Sequence, residues 1–150
     1  MITYRFAGLN DLELLVTLRL KFIEADQEDN NYGEMKSNIE HYFKTKITNG
    51  ECVVVLAEHK SEVIGTGILF FFDSVPSVSN MTGKNAYITS MYVEECYRRQ
   101  QIGSTLLLKL LDIAKEKNYN TVLLNATELG KKLYEKHGFV KIEHNMVCKL

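Results

Sequence analysis

The residues best equipped for chemistry lie in one stretch, Met91-Tyr-Val-Glu-Glu-Cys-Tyr-Arg-Arg-Gln-Gln-Ile-Gly-Ser-Thr-Leu106, where a strand-like run passes through a short basic loop into a leucine-rich helix. The first amides of a helix lack intrahelical acceptors, and the helix dipole adds partial positive charge at that end. Arg98 and Arg99 place two full charges beside them. A junction of this kind suits a diphosphate held through backbone N–H groups. Two solvated arginines and an ordinary turn at Gly103 would show the same residues, so the junction alone leaves both readings open.

Other chemistries find no matching pattern. His41, His59, His137 and His144 do not have metal-ligand spacing, and no metal is expected. There is no phosphate-binding glycine-lysine loop, and Gly65-Thr-Gly67 lacks the third glycine and following helix of a dinucleotide fingerprint. Those two glycines read as a strand irregularity. Cys52, Cys96 and Cys148 are odd in number and widely spaced without a Cys-x-x-Cys pair, which fits neither a disulfide framework nor structural zinc. A reducing, cytoplasmic setting is the expectation.

The elements that must position the junction follow from periodicity. Residues 2–6 read as a first strand, and Asn10 three places before Glu13 marks a helix start. Leu14, Leu15, Leu18 and Phe22 continue that helix as an apolar stripe, which fades into an acidic loop from Glu24 to Tyr32. A second helix is expected over residues 35–47, with Ile39, Phe43 and Ile47 on one side. Residues 52–58 and 62–72 form two strands of a hairpin split by His59-Lys60-Ser61. After a loop around Pro76 the order becomes β-α-β-α: a strand over 87–93, a helix from about 103 to 117, a strand over 121–125, and a helix from about 128 to 137 ending at Gly138. Residues 139–143 and 146–150 would be two final strands. Phe70-Phe71-Phe72 must put a ring on each face of its strand, so a homodimer that covers the outward ring is possible.

Composition bounds what these elements can be. With 150 residues and 45% apolar content, one core can serve residues 1–150 as a single domain. Eighteen Lys+Arg against nineteen Asp+Glu leave a net charge of −1, so no global field favours nucleic acid or an anionic membrane, and neither is expected as a partner. The longest apolar run, residues 68–72, is too short to span a bilayer, and the first residues show no basic segment followed by an apolar stretch.

Taken together, Met91-Tyr-Val, Tyr97-Arg98, Ile102-Gly103 and the leucine-rich helix resemble the acetyl-CoA-binding segment of the GCN5-related N-acetyltransferase (GNAT) family, whose pattern is Arg/Gln-x-x-Gly-x-Gly/Ala. A second signature of that family is similar to Leu133-Tyr-Glu-Lys-His-Gly-Phe139. The resemblance implies an α/β (α+β) fold: a mixed, mostly antiparallel sheet of six to seven strands, flanked by about four helices on both faces and splayed after Met91-Tyr-Val. It implies acetyl-CoA as co-substrate, with Arg98, Arg99, Gln101, Gly103 and Ser104 as pyrophosphate ligands, chiefly through backbone amides. Met91 and Val93 would contact the pantetheine and thioester, and Asn125 the coenzyme arm. Tyr134 would protonate the departing thiolate. Gln101 departs from the pattern, standing where the family usually has its first glycine.

The implied activity is N-acetyl transfer to a primary amine of a small molecule by direct attack. A protein or peptide amine, or coenzyme A binding without catalysis, are the alternatives. Tyr87-Ile-Thr-Ser-Met91 offers no carboxylate where many relatives carry a base. Glu24, Asp26, Glu28 and Asp29 would either border the acceptor cleft or simply face water.

Overall fold

A computed structural model of the chain describes residues 1–142 and 144–150. Among the described residues five strands, β1 (Thr3–Phe6), β2 (Cys52–His59), β3 (Glu62–Asp73), β4 (Lys84–Val93) and β5 (Thr121–Leu124), form one sheet in sequence order. The first three neighbouring pairs are antiparallel, and β4 and β5 are parallel. Four helices accompany them: α1 (Leu12–Phe22), α2 (Tyr32–Thr48), α3 (Ile102–Glu116) and α4 (Lys131–Lys136).

The sheet is therefore mixed, with five strands where six or seven were expected. The two final strands do not form among the described residues; Glu143 lies outside them. Strand-forming residues give a strand only where an edge accepts their backbone groups. Here Val140, Ile142, Met146 and Val147 are 62% exposed or more and pair with no neighbour among the described residues.

Alternation along the strands divides the core in two. Cys52, Val54 and Leu56 of β2 meet Leu15, Val16, Leu20 and Phe43 of α1 and α2 on one face. Val55 and Ala57 meet Leu106, Leu107 and Leu110 of α3 on the other. Asp11, not the Asn10–Glu13 pair, anchors the start of α1: its carboxylate accepts the Gly8 amide at 2.8 Å and pairs with Arg5 at 2.9 Å. The hairpin closes as expected, through Lys60 (φ 51°) and Ser61 (φ 66°), both positive as a two-residue type I′ turn requires.

Two irregularities shape the middle of the sheet. Thr66 pairs with Tyr92 and Ile68 with Thr89, so Ser90 and Met91 together oppose Gly67, a bulge in β4 with Ser90 at φ 51°. The bulge turns both Thr89 and Ser90 toward α1 and α2, and sends Met91 and Val93 to the α3 face. Gly67 permits this close approach, because a Cβ there would stand 2.7 Å from Met91 Sδ and 3.0 Å from Leu110 Cδ1. The second irregularity is a split. Pairing of β4 with β5 runs only from Asn85–Thr121 to Ile88–Leu124, so from Thr89 to Val93 that edge of β4 has no strand partner among the described residues.

Candidate active site

At the end of β4 the chain is pinned before it enters α3. The Glu94 amide donates to Ile64 O at 2.8 Å, and the Arg98 side chain folds back so that Nε donates to Val93 O at 3.0 Å. A 3-10 turn over Glu95–Tyr97 follows β4, and the Tyr97 hydroxyl lies 2.8 Å from His59 Nδ1, fixing the turn to β2. Arg99 then takes φ 62°, and Gln101 takes φ 62°, ψ 12°, immediately before α3.

This path leaves a row of unused donors. The amides of Arg99, Gln100, Gln101, Ile102, Gly103 and Ser104 have no protein acceptor among the described residues, whereas Arg98 N donates to Glu95 O and Thr105 N to Gln101 O. A left-handed residue followed by helical ones makes an anion-binding concavity, and the dipole of the 15-residue α3 reinforces it. Gln101, standing where the family usually has a glycine, thus takes the left-handed geometry at a cost of about 1–2 kcal/mol. Its side chain is exposed and leaves the amide available. The donor set fits a diphosphate.

The other residues singled out in the sequence gather around this junction. Met91 and Val93 flank the unpaired edge of β4, and Asn125 follows β5 directly after Leu124, the last residue paired across the split. Leu133 of α4 packs against the first turn of α3 at Gly103, and His137 Nε2 lies 3.4 Å from Ser104 Oγ. Tyr134 is 8% exposed, its ring against Gly130 and edge-on to Phe139 at 5.9 Å. Its hydroxyl has no hydrogen-bond partner among the described residues and is not sealed from solvent. Burial raises its pKa above the ordinary tyrosine value, so the phenol keeps its proton.

On the opposite face, a cavity of about 570 Å³ opens between α1, α2 and the sheet. Arg19, Glu34, Tyr42, Phe43, Phe70 and Thr89 are among its walls. Thr89 is also the first β4 residue beyond the β5 pairing, so the cavity abuts the split. None of Glu24, Asp26, Glu28 or Asp29 lines it. They lie in an exposed segment where Asp26 accepts the Glu28 amide at 2.9 Å and Asp29 the Asn31 amide at 2.7 Å. Sequence reasoning missed Arg19, Tyr42 and Thr89. The available signal was an arginine inside the apolar stripe of the first helix, four residues after Leu15.

A split mixed sheet with an anion cradle at the β4–α3 junction is the architecture of an acetyltransferase. Residues 19–139 match the model of the Acetyltransferase (GNAT) family. The chain belongs to that family. It is similar to a "predicted acetyltransferase" from Clostridium acetobutylicum, solved with acetyl-CoA, at 30% identity and TM-score 0.89, covering 99% of this chain and 96% of that one. A GCN5-related N-acetyltransferase from Ralstonia eutropha shares the fold at TM-score 0.85 and 22% identity, with 99% of each chain covered. Among curated proteins, thialysine N-epsilon-acetyltransferase of Mus musculus is 30% identical over 80 residues, 53% of this chain and 44% of the mouse protein. The Bos taurus protein of the same name is 31% identical over 70 residues, 47% of this chain and 38% of its own length. The match thus spans less than half the length of these curated relatives.

Proposed function

We propose that the chain transfers an acetyl group from acetyl-CoA to the amine of a small molecule by direct attack. The observation that carries this reading is the row of unpaired amides from Arg99 to Ser104, set where the free edge of β4 opens the sheet. Those amides, with Arg98 and Arg99, hold the pyrophosphate, and Asn125 hydrogen-bonds the pantetheine arm as it enters the split. Acetyl-CoA supplies an activated thioester. Backbone N–H at Met91 or Val93 polarises the carbonyl, where a fixed donor is worth most as negative charge develops. Tyr134 gives its proton to the leaving sulfur, and its raised pKa keeps that proton in place. The name of the curated relatives specifies nitrogen acetylation, which supports an amine acceptor.

No strong base stands at the strand. Glu94 accepts from Lys21 Nζ at 2.8 Å and from the Tyr92 hydroxyl at 3.0 Å, and its pKa is held below the ordinary value chiefly by the Lys21 hydrogen bond. The acceptor therefore reacts as the free amine and loses its proton to water. Coenzyme A release in the presence of amines tests the reading: Tyr134→Phe should lower kcat by tenfold or more while acetyl-CoA still raises the melting temperature. Unchanged turnover in that variant would remove Tyr134 from the chemistry.

A further inference from the structure

The cavity beside Thr89 has a composition that selects its occupant. Tyr42, Phe43, Ile68 and Phe70 make most of its wall apolar, and among the described residues Arg19 is its one cation and Glu34 its one carboxylate, the two forming no ion pair. Arg19 Nη1 donates to Ser90 Oγ at 2.8 Å, and the guanidinium stands 5.7 Å from the Phe22 ring centroid. No carboxylate lies within ion-pair distance of Arg19 among the described residues, and its other N–H groups donate to no protein atom there. A guanidinium has five donors in a planar fork that matches a carboxylate. Half-buried beside the Phe22 ring and without an ion-pair partner among the described residues, it keeps donors free for an anion.

Position then fixes where that partner sits. Arg19 is bonded to Ser90, the residue next to Thr89, where the cavity meets the split in the sheet. A carboxylate on Arg19 therefore sits beside the point where the split begins, close to an amine presented there, as the short spacer of an α-amino acid allows. A polyamine, even with a cationic group near Glu34, would offer no anion to Arg19.

We propose, building on the acetyltransferase reading, that the acceptor is an α-amino acid with an apolar side chain, its carboxylate on Arg19 and its side chain against Tyr42, Phe43 and Phe70. The unprotonated α-nitrogen attacks the acetyl carbonyl carbon, forming the C–N bond as the C–S bond breaks. The sulfur departs with the bonding pair and takes a proton from Tyr134. The nitrogen sheds one proton to water, and solvent reprotonates the phenol, so the products are an N-acetyl amino acid and coenzyme A thiol. Aromatic and branched side chains suit the cavity equally, and size within the apolar class is left to the walls.

The test measures coenzyme A release with L-phenylalanine, L-leucine, their carboxamides and putrescine, in the wild-type chain and Arg19→Met. The expected result is kcat/KM for the amino acids at least tenfold above their carboxamides and above putrescine. In Arg19→Met that acid-over-amide ratio should collapse toward one, while acetyl-CoA still shifts the melting temperature as in wild type. Carboxamides or putrescine used as well as the acids, or no turnover of any of these amines by a chain that binds acetyl-CoA, would overturn the proposal and leave the acetyltransferase reading standing. Failure to bind acetyl-CoA would sink both, and the thermal shift separates that outcome from the others.

Discussion

Gln101 departs from the family motif yet takes the left-handed backbone that a glycine there would supply. The anion cradle is built from amides, and an amide is present whatever the side chain, provided the backbone takes φ near 62°. Gln101→Gly removes the left-handed penalty but adds the flexibility of glycine to the unfolded chain, so stability should rise by about 0.5–1 kcal/mol in denaturant titrations. Acetyl-CoA affinity should stay within about twofold of wild type; a large loss would mean that the side chain itself contacts the coenzyme. The proposed donor half of the site was legible because a strand, a basic loop and a helix start are contiguous in sequence. The proposed acceptor cavity was not, because Arg19, Tyr42, Phe70 and Thr89 come from four separate elements that only the folded sheet brings together.

At the scale of elements, the bulge in β4 and the packing of α3 meet at Gly67. The sequence signalled an irregularity there, but the reason lies across the sheet, in Met91 and Leu110. Gly67→Ala should destabilise the chain by about 1–3 kcal/mol, seen as a lower urea midpoint at unchanged slope, because Leu110 must give way as well as the mobile end of Met91. Gly8→Ala, whose added carbon meets nothing within 4 Å, should stay within about 0.5 kcal/mol of wild type. Periodicity placed all four helices and the five strands to within a few residues. It failed for residues 139–142 and 146–150, because apolar alternation states a preference for extended backbone and says nothing about whether an edge is available to pair with it.

Across the whole molecule, the two half-cores flank a sheet whose α1–α2 face hides ionisable groups. Burial pushes the Cys52 thiol up to about 12 from 9.0, and the Tyr42 phenol, mainly by burial and then by Cys52 and Glu51, up to about 12 from 10.0. The unfolded chain releases these protons first, so between pH 9.0 and about 12 the folded state binds more protons. Stability then falls as pH rises through that window. Melting temperature should hold below pH 9.0 and decline above it, with the early part of the decline reduced in Cys52→Ala. A flat profile to pH 11 would show that neither group is desolvated as its burial implies.

On the proposed function, the β4–α3 junction grips a diphosphate and thereby holds the acyl donor in the split sheet. Isothermal titration of acetyl-dephospho-coenzyme A and of acetylpantetheine, which lacks the diphosphate and its adenosine, measures what the two together add, and loss of the two arginines isolates the diphosphate's share. Charge-assisted hydrogen bonds from even two of the free amides predict at least about a hundredfold tighter binding of the diphosphate-bearing ligand. The Arg98→Ala/Arg99→Ala double variant should narrow that gap by tenfold or more. Equal affinity for the two ligands, or a gap that survives loss of both arginines undiminished, would contradict the account.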